Sequence, residues 1–247
     1  MSVLSIRILT FNNHEMTDAC LASVLRQKIP FPHDIAIVDN GSEYPYKSEK
    51  FRVIRLFPNR GIASGINECF KSAVHDWVLF VSNDVRWLGE NSIWNLFKAG
   101  HTDSVQAMPL VYLDNGLIDC AGMDYRWPGY GIGRRKYKGV KTEIIPNITF
   151  LCNKSLWAGA GKFDERMQGI GYEDVDFGLR LKGLKIVVQT SAALHLGNQT
   201  FKKTESHHRE SYHRNRLYTV KKNYTGWRRL ARETALRVMD TVRARLP

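Results

Sequence analysis

A chain of 247 residues with 43% apolar content can build one large α/β unit or two small ones. Nothing in it approaches the ~18 uninterrupted apolar residues of a membrane span, and residues 1 to 11, short and interrupted by Arg7, read as a first strand rather than a signal peptide. The net charge of +12 is uneven: Lys202 to Pro247 carries 13 Lys and Arg against 4 Asp and Glu, leaving about +3 on the first 201 residues.

Strands and helices alternate along the nearly neutral part. Val3–Phe11 reads as a strand, followed by a helix over about Thr17 to Gln27 with Leu21, Val24 and Leu25 on one face. Ile35–Val38 is the second strand and Phe51–Phe57 the third, and Gly61–Val74 is the second helix. The apolar run Trp77–Val81 reads as a buried central strand. A helix over Asn91–Ala99 and a strand over Val105–Val111 come next. Residues 112 to 147 are irregular and rich in Gly, Pro and aromatics, and Phe150–Cys152 resumes a strand. This order predicts an α/β fold, a mostly parallel sheet with helices on both faces.

The polar residues that end these strands form a pattern. Thr10-Phe11-Asn12 ends the first strand, Asp39-Asn40-Gly41-Ser42 the second and Ser82-Asn83-Asp84 the central one, while Asn59-Arg60-Gly61 opens a helix. In a parallel sheet all four fall at one edge, where a single crevice can collect them. No GxGxxG follows the first strand, and GxxxxGK[ST] and GxSxG are both missing, which weighs against dinucleotide, P-loop and hydrolase chemistry. Cys20, Cys69, Cys120 and Cys152 are widely spaced without a CxxC pair, which fits thiols of a reducing compartment and predicts a cytoplasmic protein.

The densest segment is Gly161 to His195. Glu173, Asp174 and Asp176 open a helix and are followed by Leu179, Leu181 and Leu184, a short apolar strand and His195. A helix N-terminus favours one carboxylate, but three within four residues repel unless something basic, metallic or hydroxylic faces them. Gly169 and Gly171 just before them permit close approach of a backbone or ligand.

In this order and spacing, ILTFNN, IAIVDNGS, NRGIASGIN, VLFVSNDV, GKFDE, GYEDVDFGLRL and the following His195 resemble an inverting glycosyltransferase of family 2 with the GT-A fold. The likeness is greatest to the bacterial rhamnosyl- and galactofuranosyltransferase branch and runs from about residue 4 to residue 200. It implies a domain over 1–200 and a basic helical extension over 201–247. It also implies a nucleotide diphosphate sugar, UDP- or dTDP-linked, as donor, with Asp39 accepting from the nucleobase. Thr10 and Asn12 would lie along the nucleoside, with Arg60, Ser64 and Asn67 near base or ribose. Ser82, Asn83 and Asp84 occupy the family's DXD position, where Asp84 and His195 would hold a divalent cation, Mn2+ or Mg2+. Ser82 departs from the motif, since the family has an acid there. Asp174 matches the general base, Glu173 would bind the acceptor or orient that base, and Asp176 reads as a helix-surface or supporting acid.

Tyr125, Trp127, Tyr130 and Tyr137, interleaved with glycines and arginines, are candidates for stacking on an acceptor sugar, and Trp157 is a further one; each also fits an ordered excursion or a core position. In the tail, Trp227, Leu230, Ala231, Val238, Met239 and Val242 share one helical face. That pattern suits a membrane surface or self-association, body packing, or, least of all, nucleic acid. A lipid-linked or glycan acceptor is what the resemblance suggests. Two function classes stay open: a glycosyltransferase, or a protein of the same fold that binds sugar, nucleotide or nucleic acid without catalysis.

Overall fold

The computed structural model describes residues 4–167, 169–197 and 205–245. Its first half runs β1 (Leu4–Thr10), α1 (His14–Leu25), β2 (His33–Asp39), β3 (Arg52–Arg55), α2 (Ile62–Lys71), β4 (Trp77–Ser82), β5 (Val85–Trp87) and α3 (Ser92–Asp103). Next come β6 (Gln106–Tyr112), β7 (Ile118–Cys120), β8 (Met123–Arg126), β9 (Tyr130–Gly133), β10 (Lys141–Thr142) and β11 (Thr149–Asn153). The remainder is α4 (Lys154–Gly159), α5 (Glu173–Arg180), β12 (Lys185–His195), α6 (Glu205–Asn223) and α7 (Gly226–Arg245).

The main sheet has the order β3–β2–β1–β4–β11–β6–β12–β10, with β5 beside β12 and β7 beside β6. β3, β2, β1 and β4 are parallel neighbours, as are β6 and β12, and β11 runs antiparallel between the two groups. The mostly parallel sheet is present, with β11 as an antiparallel inset. Period-two alternation sorts the side chains: Leu79 and Val81 of β4 join α1 and α3 in one core, while Val78 and Phe80 join α2, α4 and α5 in the other. Helices therefore cover both faces.

Register sets where the strands end. Thr10 pairs with Asp39, and Leu9 with Ser82, so three parallel strands finish at one level. The far end of β12 does something the sequence does not announce. After a bulge between Val188 and Ala192, it pairs with β6 on one side and with the short β5 on the other, setting His195 opposite Val85. The Leu196 N–H also donates to the Asp84 carbonyl.

The charge boundary near residue 200 is not a packing boundary. Asn215 donates to the Gly171 carbonyl, the Ser211 hydroxyl to that of Ile170, and Lys222 to both Asp164 and Asp176. Asp176 is no surface acid: fully buried, it accepts from Arg180, Lys222 and Asn223 and so fastens α5 to α6. α7 folds back on α6, with Arg216 paired to Asp240 and Leu236 buried, while Trp227, Leu230 and Val238 face outward. The tail thus joins the body through α6 and one side of α7. Val242 and the segment 198–204 lie outside the residues whose side chains are described. Among the described residues, no helix is long and apolar enough to cross a membrane.

Removing one partner of a buried ion cluster leaves the others desolvated and unpaired. Asp176→Ala is therefore expected to lower unfolding free energy by about 3 kcal/mol, read from urea denaturation with an unchanged m-value.

Candidate active site

At the strand ends lies a crevice of about 750 Å³ whose walls include Thr10, Asn40, Arg60, Ser82, Asp84 and Glu165. It occupies the position at which open parallel sheets bind ligands. Inside it the polar groups are organised by one another. The Thr10 and Thr17 hydroxyls lie 2.6 Å apart, and the Asn83 amide donates to both. The Asn40 amide donates to the Gly61 carbonyl, leaving its buried Oδ1 without a hydrogen-bond partner.

Asp84, which lines the crevice, meets His195, with Oδ2 and Nε2 3.2 Å apart. His195 Nδ1 contacts Asp119 Oδ2 at 2.6 Å, and Arg135 pairs with the same Asp119. The imidazole therefore sits between two carboxylates. Burial works to lower its pKa, but hydrogen bonds and charges from Asp119 and Asp84 override this and raise it to about 9. Burial likewise works to raise Asp84, and the His195 contact outweighs it, leaving the carboxyl below its ordinary value. Asp119 is held low first by its hydrogen bond to His195.

The chemistry of this pair, one carboxylate and one imidazole, suits a divalent cation. Asp84 Oδ1 is buried without a hydrogen-bond partner, and with Asp119 holding Nδ1–H, a cation would have to displace the proton that Nε2 shares with Asp84. Among the described residues no group of three His, Cys, Asp or Glu could hold a metal ion. The protein offers two donors, so ligand phosphate and water would supply the rest.

A second cavity, about 320 Å³, adjoins His195 and is bordered by Asp114, Asp119, Arg135 and Pro146. Near it, α5 presents Glu173 and Asp174 in its first turn, directly after left-handed Tyr172. Burial, then the neighbouring Asp174 charge, pushes Glu173 up to about 8, and its Oε2 has no hydrogen-bond partner. Burial also raises Asp174, against hydrogen bonds from the backbone of Val175 and Asn147.

Several of the candidate residues also bond within the protein. Asp39 is fully buried, with Oδ1 accepting from Ser42 N–H at 2.9 Å and Oδ2 from Tyr46 N–H at 3.0 Å. Its carboxylate closes the loop after β2. Asn12 serves the same loop: its N–H donates to the Ser42 hydroxyl and its side chain accepts from Glu43 N–H. Ser64 and Asn67 donate to Glu165, and Asn67 also accepts from Trp157 and Phe163, so both brace the loop opposite α2. Trp157 is a core residue stacked 5.0 Å from Phe70.

The aromatic hairpin β8–β9 receives the C-terminal helices. Arg216 lies over Tyr130, Tyr125 stacks on Tyr224, and Arg232 donates to the Pro128 carbonyl. Tyr137 packs against the core. Only Trp127 among the hairpin's three candidate rings stays mostly exposed.

The sequence model of Glycosyl transferase family 2 matches residues 5–156, more than half of the chain, from within β1 to beyond β11. The chain belongs to this family. No protein of curated function matches it. Many solved structures share its fold. GalNAc-T7, solved with UDP, GalNAc and Mn2+, superposes with a TM-score of 0.73 at 13% identity, covering 89% of this chain and 48% of its own. The mannosyltransferase PcManGT from Pyrobaculum calidifontis, in complex with GDP-Man and Mn2+, gives 0.63 at 12% identity, covering 95% and 68%. TarS from S. aureus gives 0.60 at 17% identity, covering 89% and 39%. This family 2 chain thus spans about half the length of GalNAc-T7, and at such identities the likeness is one of fold.

The family 2 chain also uses residues that sequence reasoning passed over. Asp119 carried no signal, because it sits in the irregular stretch and meets a partner 76 positions away. Glu165 was visible within GKFDE but had no assigned task. From α6, Tyr212 packs edge-on against Tyr172 at 4.8 Å, beside the α5 acids.

Glu173 gives a pH test. Its folded value lies above the unfolded 4.5, so the stability held by its proton is present below 4.5 and lost as pH rises through about 8. Glu173→Gln cannot ionise and should gain stability relative to the native chain across that window, measured by urea unfolding at several pH values. Asp174, also raised, keeps part of the slope.

Proposed function

We propose that this chain is an inverting glycosyltransferase that moves a sugar from a nucleotide diphosphate onto an acceptor hydroxyl. The observation that carries the reading is the Asp84–His195 pair, held at 3.2 Å between the larger crevice and the smaller cavity. A crevice of that size accepts a nucleoside, and its neighbour a sugar ring. The bound nucleotides and Mn2+ in GalNAc-T7 and PcManGT lend support from the same fold.

In this reading Asp84 and His195 hold a divalent cation, Mn2+ or Mg2+, which when bound neutralises charge on the leaving diphosphate. Thr10, Arg60, Ser82 and Asn83 line the donor's path. Asp39 is the acceptor for the imide N–H of a uracil or thymine base, with the unpartnered Asn40 Oδ1 beside it at the strand end, which keeps UDP- and dTDP-linked donors in the proposal. Asp174 accepts the proton of the acceptor hydroxyl as its oxygen attacks the anomeric carbon opposite the phosphate. Its raised pKa makes it a stronger base than an exposed aspartate. Glu173 shares the desolvated turn and positions it. The acceptor is a glycan or lipid-linked hydroxyl, and the rhamnosyl or galactofuranosyl branch names the sugars to try first.

A two-donor site should bind Mn2+ weakly alone and strongly with a nucleotide diphosphate, because phosphate oxygens complete its shell. Titration calorimetry with UDP and dTDP is expected to show that coupling, and Asp84→Ala or His195→Ala to abolish it. Metal-independent nucleotide binding would remove the reading's main support. Asp174→Asn should lower kcat by roughly a hundredfold or more while donor affinity stays near the native value. Transfer at the native rate would place the base elsewhere.

A further inference from the structure

α7 is amphipathic in the direction opposite to that expected of a core helix. Buried Leu236 faces the body, where Arg232 holds the Pro128 carbonyl. On the outer side Trp227 is 76% exposed, Leu230 68% and Val238 58%. With Ala231 and Thr234, also exposed, their spacing keeps them on one stripe through three turns.

The charges on the helix are sorted around that stripe. Exposed Arg228 borders one edge and exposed Arg237 the other. Both acids of α7 turn away from it: Glu233 pairs with Arg229 and Asp240 with Arg216 of α6. The outer face thus combines a Trp, aliphatic side chains and bordering arginines with no acid among its described residues.

We propose that α7 docks in the plane of an anionic lipid surface, with Trp227, Leu230 and Val238 in the headgroup–acyl boundary and the arginines on lipid phosphates. Partitioning of such a helix combines buried apolar area with attraction to anionic lipid. A second copy of the chain is a poorer occupant. A two-fold contact through this stripe would bring the exposed arginine borders of both copies together. The surface is independent of the chemistry proposed above, but it is mechanically joined to it: α7 grips the β8–β9 hairpin, and Gly131 of that hairpin packs against Val175, next to Asp174.

The test uses the full chain and vesicles of phosphatidylcholine, alone or with about one-third phosphatidylglycerol. Co-sedimentation is expected with the anionic vesicles only, weakening as salt is added. The triple variant Trp227→Ser, Leu230→Ser, Val238→Ser should lose roughly tenfold or more in partitioning, with an unchanged melting temperature because all three side chains are exposed. Bromine-labelled acyl chains should quench native emission more than that of Trp227→Phe, a comparison that stands even if the triple variant fails to fold. Equal binding to neutral vesicles, undiminished binding by a folded triple variant, or equal quenching of native and Trp227→Phe would overturn the proposal. So would a native dimer that the triple variant cannot form.

Discussion

The site depends on a backbone pairing between two strands that sequence distance keeps far apart. β12 ends against β5, so that His195 lies opposite Val85 and the Leu196 N–H reaches the Asp84 carbonyl. A ladder repeat therefore brings the backbones of imidazole and carboxylate together, and the side-chain contact follows. β6 completes the arrangement: its partner β7 carries Asp119 to the other nitrogen of His195. A pair of side chains whose backbones are held by main-chain hydrogen bonds needs little reorganisation when a ligand arrives, and that is the physical content of a preorganised site.

A second constraint concerns the acids of α5. They are desolvated on one side by the hairpin and on another by α6, a helix that composition alone assigns to a separate tail. Lys222 and Asn223 bind Asp176 in the same turn that presents Asp174. The buried, neutralised Asp176 anchors the turn, leaving Glu173 and Asp174 to carry the raised affinity for protons. One acidic cluster thus divides into an ion-paired acid and two with raised pKa.

Much of the scaffold was legible because its signals are local. Apolar runs such as Trp77–Val81 can only be buried strands in this context, and the polar residues after them fall at one sheet edge by topology. The adjacency of Asp84 and His195 was legible only through resemblance. What stayed hidden depends on partners. A carboxylate at a strand end gives no sign of its neighbours, and Asp39 accepts from the Ser42 and Tyr46 N–H groups of its own loop. Ser64, Asn67 and Trp157 form one mutually bonded brace in which no member signals the others. The glycine-rich aromatic stretch matches a sugar platform in composition, yet its rings face helices that begin some 75 residues further on, beyond any local pattern.

The glycines ahead of α5 tie its geometry to α6. A Cβ at Gly169 would fall 2.6 Å from that of Ser211, and one at Gly171 2.5 Å from the Tyr212 ring, while both backbones adopt positive φ. Side chains at 169 and 211, and at 171 and 212, therefore compete for the same volumes. A chimera that took its C-terminal helix from a relative would have to import the matching loop as well, or the graft would wedge the segment leading to Asp174 out of place. The two pieces are one inheritance unit, although more than thirty residues of chain separate them.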